Sequence, residues 1–237
     1  LFLYKNSLKM KFIIIISGLL CFLSCKNDKT TQNIKKTSDT TSNEVKKDSL
    51  IFSEEKHFKS IKQITFGGDN AEAYWSFDDK SLVFQSNNKA WGLNCDQMFL
   101  MNNGDTFKGS KPKMISTGKG RTTCAYFLPD NKHFVYASTH LVDENCPEVP
   151  LRKNGKYVWP VYDSFDIFVA DLDGNITSQL TNEPGYDAEA TVSPKGDKIV
   201  FTSTRSGDLE LYTMNIDGTN VKQITNELGY DGGAFFS

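Results

Sequence analysis

The sequence predicts an all-β fold, a partial β-propeller built from four-stranded antiparallel blades. The clearest unit is residues 186–225, in which strand-like runs alternate with turn residues at 194–197 (Pro-Lys-Gly-Asp) and 217–220 (Asp-Gly-Thr-Asn). Gly, Asp and Asn accept the positive φ angles of tight turns, and Pro presets the first turn residue. Four short strands joined in this way form a meander that must pack against similar units.

Similar units recur along the chain. Residues 193–201 (SPKGDKIVF) align without gaps with residues 76–84 (SFDDKSLVF) and 128–136 (LPDNKHFVY). The tripeptide Gly-Tyr-Asp at 185–187 returns 44 residues later at 229–231. Aromatic residues make up 12% of the chain, and no long run has helical periodicity. Four strands within a period of 44 residues predict a propeller blade.

The repeat predicts three blades and the first strand of a fourth. The predicted strands of the first blade are residues 73–76, 81–86, 96–102 and 113–116. Those of the second are residues 124–128, 133–138, 164–171 and 177–181. Those of the third are residues 190–192, 198–203, 209–215 and 221–225, and the fourth blade begins at residue 226. Because propellers have four to eight blades, we expect this chain to be a C-terminally truncated fragment.

These units resemble TolB-like β-propeller repeats over residues 61–237. The matching pattern is a turn (Asp-Gly-Thr-Asn), a strand (Val-Lys-Gln-Ile-Thr), a link (Asn-Glu-Leu-Gly-Tyr-Asp) and the nine residues 193–201. The resemblance implies the propeller fold for residues 61–237. It also implies a role in envelope assemblies beside peptidoglycan-associated lipoproteins, with a protein partner and no catalysis. Propellers host many activities, so the fold alone does not assign one.

Residues 1–24 are predicted to be upstream residues followed by a lipoprotein signal peptide. Met10-Lys11 precedes an apolar run at residues 12–23, which is too short to span a membrane. The run ends in Ser24-Cys25, which resembles a bacterial lipobox with Cys25 as the lipidated first residue. Alternatively, Cys25 is a late residue of an ordinary signal peptide. By analogy with lipoprotein sorting, Lys26 after the cysteine favours the outer membrane, so the predicted location is the bacterial cell envelope, lipid-anchored at the outer membrane.

Residues 25–60 are predicted to be the lipidated cysteine and a disordered tether. Residues 26–50 contain no aromatic residue, no Gly and no Pro, and they are rich in Thr, Ser, Lys, Asp and Asn. Such a segment cannot bury enough apolar surface to offset the entropy of ordering. Contact with a membrane is therefore expected through the lipid anchor only.

Charge and motifs exclude several functions. The net charge of −2 argues against a nucleic-acid partner, which usually requires a basic patch. The sequence contains no G-x-S-x-G, no H-E-x-x-H and no P-loop, so we predict no catalytic residue and no cofactor. The three exported cysteines and His140 contain no C-x₂₋₄-C pair, so no metal site is predicted.

Cys95 and Cys146 are the predicted disulfide pair. Both lie in loop or insertion regions between the second and third strands of adjacent blades, and an oxidising compartment permits the bond. Cys124 lies on an innermost strand and is expected to be free and buried.

Glu72, Cys124 and Glu189 are candidate residues facing a central channel. They occupy the same position in the first strands of blades one, two and three, and Gly233 occupies it in the fourth. The first strand of each blade lines the channel of a propeller. The carboxylates either bind a cation or a basic peptide, or they accept hydrogen bonds from backbone donors of neighbouring blades.

An insertion at residues 140–163 of the second blade is the candidate recognition loop. It carries His140, Tyr157, Trp159 and Tyr162. Long ordered loops in repeat folds are often functional. The aromatic residues either form a recognition surface, with a glycan as an alternative ligand at Trp159, or cover a small core of the loop itself.

The sequence therefore predicts a non-catalytic envelope lipoprotein whose β-propeller is a scaffold for a protein or peptide. The alternative belongs to another class of function. Similar repeats form the gating propeller of prolyl-oligopeptidase-like serine peptidases, and the catalytic domain of such a protein would lie beyond residue 237.

Overall fold

The computed structural model describes residues 50–151, 154–156 and 158–237. These residues belong to the second of two units into which the chain divides, Asp48–Ser237. The predicted signal peptide, Cys25 and Tyr157 lie outside the described residues. In the described part of the chain, no helix is both long enough and apolar enough to cross a bilayer.

Three antiparallel sheets of four strands make up this unit, and in each sheet the strands pair in chain order. Blade 1 consists of β1 (Asp69–Trp75), β2 (Ser81–Asn87), β3 (Gln97–Asn102) and β4 (Lys113–Met114). Blade 2 consists of β5 (Thr122–Phe127), β6 (His133–Ser138), β7 (Asp166–Asp171) and β8 (Ile176–Gln179). Blade 3 consists of β9 (Asp187–Val192), β10 (Lys198–Ser203), β11 (Glu210–Asn215) and β12 (Lys222–Gln223). The predicted all-β fold of partial-propeller blades is confirmed.

The nine-residue motif shared by the blades builds the turn between their first two strands. In blade 3, the Ser193 hydroxyl accepts hydrogen bonds from the backbone N–H groups of Asp197 (3.2 Å) and Lys198 (3.1 Å). In blade 1, the Ser76 hydroxyl accepts from the backbone N–H of Ser81 (3.0 Å). Short polar side chains that bond the local backbone in this way stabilise tight turns.

The core lies between the faces of adjacent blades. The side chains of β6 alternate, because successive residues of a strand point to opposite faces. Phe134 and Tyr136 pack in the cluster shared with blade 1, whereas Val135 packs in the cluster shared with blade 3. Each fully buried apolar side chain of this size contributes roughly 1.5–3 kcal/mol to stability. The central blade is thus covered on both faces.

The inner strands begin earlier than the sequence predicts. Strands β1, β5 and β9 start at Asp69, Thr122 and Asp187, rather than at residues 73, 124 and 190. Each strand contains a β-bulge, in which two of its residues lie opposite one residue of the neighbouring strand. The bulge interrupts the alternation of buried and exposed side chains. A search for that alternation therefore detects only the part of the strand after the bulge and misses the residues paired before it.

The segment predicted to begin a fourth blade follows blade 3 and contacts it. Within the described residues, the last strand is β12, and the segment after it is joined to blade 3 by single contacts. Tyr230 forms an isolated bridge with Leu209, and the Thr191 hydroxyl donates to the Ala234 carbonyl oxygen (2.7 Å). A continuous ladder needs a neighbouring strand of its own blade, and the segment has none here.

Candidate functional site

Four equivalent positions of the repeat meet in one cavity. Glu72, Cys124 and Glu189 have φ angles of 50°, 52° and 58°, and Gly233 has a φ of 63°. All four residues line a cavity of about 220 Å³, here called the inner-strand cavity. The positions that the sequence predicts to face the channel are therefore brought together. Its other lining residues are Tyr74, Ala190, Thr191, Tyr230 and Phe235.

The positive φ angles belong to the bulges. The left-handed region costs roughly 1–2 kcal/mol for a residue other than Gly, so it is kept only where the surroundings hold it. In blade 2, the Gln85 side-chain oxygen accepts from the backbone N–H of Cys124 (3.2 Å) and from the Thr123 hydroxyl (3.1 Å). A side chain of blade 1 thus satisfies a backbone donor at the bulge in blade 2.

Glu189 is the more constrained of the two carboxylates. It is buried and accepts from the Thr202 hydroxyl (2.7 Å), the Tyr230 hydroxyl (2.8 Å) and the backbone N–H of Gly233 (2.8 Å). The last of these donors belongs to the repeat that follows blade 3. Glu189 therefore connects two repeats. This matches the second role that the sequence allows for these carboxylates, which is to accept hydrogen bonds from backbone donors of a neighbouring blade.

Glu72 is exposed and accepts fewer hydrogen bonds than Glu189. Among the described residues, its hydrogen-bond partner is the Tyr74 hydroxyl, which donates to the carboxylate. Burial, and then this interaction with Glu72, raises the pKa of Tyr74 above its ordinary value. A carboxylate has about four acceptor positions, so Glu72 can still accept from a ligand.

Aromatic rings form a wall beside Glu72. The ring centroid of Tyr74 lies 5.3 Å from that of Tyr126 and 5.7 Å from that of Phe235. The faces of such rings attract cations. The inner-strand cavity therefore combines acidic and aromatic side chains, and its lining includes no Lys or Arg.

Cys124 contributes a neutral thiol to this cavity. It is half-buried rather than buried, which corrects the sequence-based expectation, and it is free. Burial, with smaller contributions from Glu72 and Glu189, raises the pKa of the thiol to about 12. The thiol is therefore protonated at neutral pH and is a poor nucleophile.

A second cavity, of about 520 Å³, lies against the insertion and is here called the insertion cavity. Its lining includes Trp159 and Tyr162 of the insertion, together with Asp96 and Arg121 from blades 1 and 2. Arg121 and Asp96 form an ion pair in which both side chains are largely buried. The Arg121 guanidinium also lies 6.0 Å from the centre of the Tyr162 ring. The insertion cavity thus has one charged wall and one aromatic wall.

The sequence leaves two roles open for the aromatic residues of the insertion, which are ligand recognition and support of the loop itself. Trp159 and Tyr162 differ in this respect. Trp159 is 44% exposed and meets the rings of Tyr186 and Tyr230 edge-on, with centroids 6.2 and 5.5 Å away. Tyr162 packs against Phe165 and donates its hydroxyl hydrogen bond to the Glu148 carbonyl (2.7 Å). Trp159 is thus available to a ligand, whereas Tyr162 also supports the loop.

His140 lies away from both cavities. Its ring nitrogen Nδ1 is 2.9 Å from the Ser138 hydroxyl, and its ring centroid is 4.6 Å from that of Phe168. Burial and the nearby Lys119 lower the pKa of His140. His140 lines neither the inner-strand cavity nor the insertion cavity.

A disulfide joins Cys95 to Cys146, whose Cα atoms are 5.8 Å apart. These are the two cysteines that the sequence pairs. The bond ties the connection between β2 and β3 to the insertion of blade 2. Among the described residues, no three His, Cys, Asp or Glu side chains lie together in a group that could hold a metal ion.

Several residues of these cavities escape sequence reasoning. Tyr230 belongs to the repeated Gly-Tyr-Asp motif, which is a signal that could have marked its contact with Glu189. Gln85 and the pair Asp96–Arg121 have no equivalent in the repeat, because each serves one particular junction between blades 1 and 2.

Residues 159–237 match the family described as the TolB beta propeller domain. A crystal structure of TolB from Acinetobacter baumannii is similar with 18% identity and a TM-score of 0.46, over 70% of this chain and 34% of that one. A protein from Agrobacterium tumefaciens assigned as TolB has 18% identity and a TM-score of 0.46, over 70% of this chain and 65% of that one.

A puromycin-hydrolyzing peptidase from Mycobacterium tuberculosis is also similar, with 12% identity and a TM-score of 0.43, over 68% of this chain and 24% of that one. The chain spans less than two thirds of the length of each of these three proteins. Residues 159–237 thus match TolB beta propeller repeats, and the described part of the chain forms three four-stranded blades.

Proposed function

We propose that this chain is a non-catalytic lipoprotein of the bacterial envelope whose blades bind a protein or peptide partner. The inner-strand cavity receives a basic side chain of that partner. The observation that carries this proposal is the exposed carboxylate of Glu72, which stands beside Tyr74 and Phe235 and has acceptor capacity to spare.

Charge supports a cationic group in this cavity. Glu72 and Glu189 are its charged side chains, and no Lys or Arg of the described chain lines it. A Lys ammonium or Arg guanidinium would donate a charged hydrogen bond to Glu72 and would be attracted by the ring faces. Such complementarity mainly determines which partner is accepted and how fast it associates.

The hydrogen bonds that Glu189 already accepts favour a basic side chain, rather than a bare metal ion, as the ligand of the inner-strand cavity. Three donors hold Glu189 in place, so the cavity offers Glu72 as its available carboxylate. One carboxylate suits a single ammonium or guanidinium group, whereas a cation such as Ca²⁺ takes six to eight oxygen ligands. The partner is therefore a macromolecule that presents a basic residue.

The membrane attachment is proposed from the sequence. The apolar run ending at Cys25 supports a lipid anchor, and the polar residues after it support a tether between that anchor and the blades. A partner in the envelope would then lie within reach of the inner-strand cavity.

A matched pair of peptides tests the proposed function. The purified chain is titrated with N-acetylated, C-amidated Gly-Gly-Lys-Gly-Gly and with the same capped peptide acetylated on its lysine side chain, and binding is followed by NMR. We expect only the charged peptide to bind, and we expect Glu72→Gln to weaken it about fivefold to tenfold through loss of a charged hydrogen bond. The control Glu183→Gln makes the same chemical change at an exposed position outside the cavity.

Equal binding of the two peptides would contradict the proposal, as would an equal effect of the two substitutions. Weaker binding of the charged peptide at high salt would support it further, since exposed charge interactions are screened.

A further inference from the structure

We infer that the insertion cavity binds a neutral oligosaccharide. This site is distinct from the inner-strand cavity, and the inference does not depend on a basic partner residue. It rests on the opposition of a polar wall and an aromatic wall across a cavity of about 520 Å³, a volume suited to a small ligand.

The polar wall consists of planar hydrogen-bonding side chains. They come from strands of blade 1 and from the residues just before β3 and β5, and they are Asp69, Gln85, Asn87, Asp96 and Arg121. Carboxylates accept, guanidinium groups donate, and amides do both. A sugar hydroxyl donates and accepts at once, so this mixture matches the edge of a sugar ring.

Part of this hydrogen-bonding capacity is unused. Gln85 uses its side-chain oxygen to bind Thr123 and Cys124, and no hydrogen bond of the described chain uses its amide nitrogen. Within the described residues, the side chains of Asn87 and Asp69 also have no hydrogen-bond partner. These groups can bind a ligand without breaking an existing contact.

Arg121 adds a buried donor without a partner. Asp96 holds one of its terminal nitrogens, but its Nε–H is buried and makes no hydrogen bond to the described residues. A buried unpaired donor is costly, so the guanidinium gains if it turns toward a ligand hydroxyl. Asp96 keeps the guanidinium in position for such a ligand.

The opposite wall suits the apolar face of a sugar ring. It is formed by the insertion and the start of blade 2's third strand, and includes Trp159, Pro160, Tyr162 and Phe165. Trp159 keeps 44% of its surface exposed, although two tyrosine rings hold it in place. A large ring that is already ordered binds with little loss of conformational entropy.

Charge selects the class of sugar. The wall has two carboxylates, Asp69 and Asp96, and one cation, Arg121, which gives a formal charge of −1. Acidic sugars would be repelled by the unpaired Asp69. An extended peptide is the other candidate, but peptides are typically recognised by a strand edge or by pockets for alternate side chains, and this wall presents closely spaced polar side-chain groups instead.

Titration with three neutral trisaccharides tests the inference. The purified chain is mixed with maltotriose, cellotriose or triacetylchitotriose, and binding is measured by calorimetry and tryptophan fluorescence. We expect at least one of them to bind saturably. Trp159→Ala should weaken that binding about tenfold or more, a change of ~1.4 kcal/mol. Asn87→Ala should weaken it without changing the aromatic wall.

Trp75→Ala is the matched control. Trp75 is 49% exposed, lies on β1 and does not line the insertion cavity, so its loss should leave sugar binding unchanged. Both substitutions are at exposed side chains, so thermal unfolding should verify that both variants fold. Absence of saturable binding for all three sugars would overturn the inference, and so would equal effects of Trp159→Ala and Trp75→Ala.

Discussion

The bulge residues show how a single backbone angle shapes the inner-strand cavity. Glu72, Cys124 and Glu189 each have a positive φ that only Gly adopts freely, and each lies at the same position of its blade. The aromatic residue that ends the nine-residue motif (Phe84, Tyr136 or Phe201) lies opposite the bulge in the neighbouring strand. The bulge turns the side chains of the inner strands toward one another.

This conformation predicts opposite responses at two neighbouring residues. Glu72→Gly should keep or raise the free energy of unfolding, by up to ~1 kcal/mol, whereas Glu72→Val should lower it by more than ~1 kcal/mol. Ala71 is the control, because it is also exposed on β1 but has an ordinary φ. There, Gly should destabilise and Val should not. Urea unfolding measures all four variants, and the same order at both positions would contradict the positive φ of Glu72.

The Cys124 thiol has a predicted pH dependence. Its pKa is raised from 9.0 to about 12, so at pH 8 the folded protein holds roughly 1,000-fold less thiolate than the unfolded chain. Alkylation by iodoacetamide should therefore be slow and should accelerate as the pH rises towards 12. The unfolded chain ionises first, so this thiol should also lower the unfolding free energy above pH 9.

Mass spectrometry of the peptide that contains Cys124 measures this rate. The same peptide in urea-unfolded protein is the control. A rate that levels off near pH 9 in the folded protein would show that burial does not raise the pKa.

At the scale of elements, the disulfide connects blade 1 with the insertion. Cys95 and Cys146 are separated by 51 residues, and the chain-entropy model assigns about 4 kcal/mol to closing such a loop. We expect Cys95→Ser with Cys146→Ser to lower the free energy of unfolding by about 2–4 kcal/mol. Cys124→Ser is the control and should cost less, since Cys124 is free. Equal losses for the two variants would argue against the bond.

The sequence predicts the elements well where the signal is local and repeated. The Ser193 turn, the order of the strands and the three sheets follow from turn residues and a period of 44 residues. The bulges cannot be predicted from the sequence, because the alternation of apolar and polar residues does not indicate the sign of φ at Glu72 or Glu189. The short length of the outer strands β4 and β12 depends on how they pair with the neighbouring strand, which the sequence pattern does not indicate either.

The candidate site is harder to predict, because it depends on contacts between different blades. The sequence places Glu72, Cys124 and Glu189 at one repeat position, and the structure gathers them in one cavity. The sequence does not reveal that Asp96 pairs with Arg121, or that Trp159 meets Tyr230, because the two residues of each pair are far apart in the chain.

At the scale of the whole molecule, we propose that a lipid anchor at Cys25 connects the blades with a membrane. Cells that express the chain with labelled palmitate should incorporate the label, and Cys25→Ser should abolish it. Cys21→Ser changes a cysteine inside the apolar run and should leave labelling intact. Equal labelling of Cys25→Ser and the unchanged chain would refute lipidation at Cys25. The alternative of a peptidase's gating propeller predicts a G-x-S-x-G motif in the gene downstream of residue 237.

The central claim is that the inner-strand cavity receives a basic residue of a protein partner. Site-specific photo-crosslinking in the native envelope tests it most directly, with a benzophenone amino acid placed at Tyr74, which lines the cavity, or at Trp75, which does not. We expect position 74 to form an adduct with a partner peptide next to a Lys or Arg, and we expect Glu72→Gln to remove that adduct. Equal adducts from both positions, or an adduct that persists with Glu72→Gln, would contradict the claim.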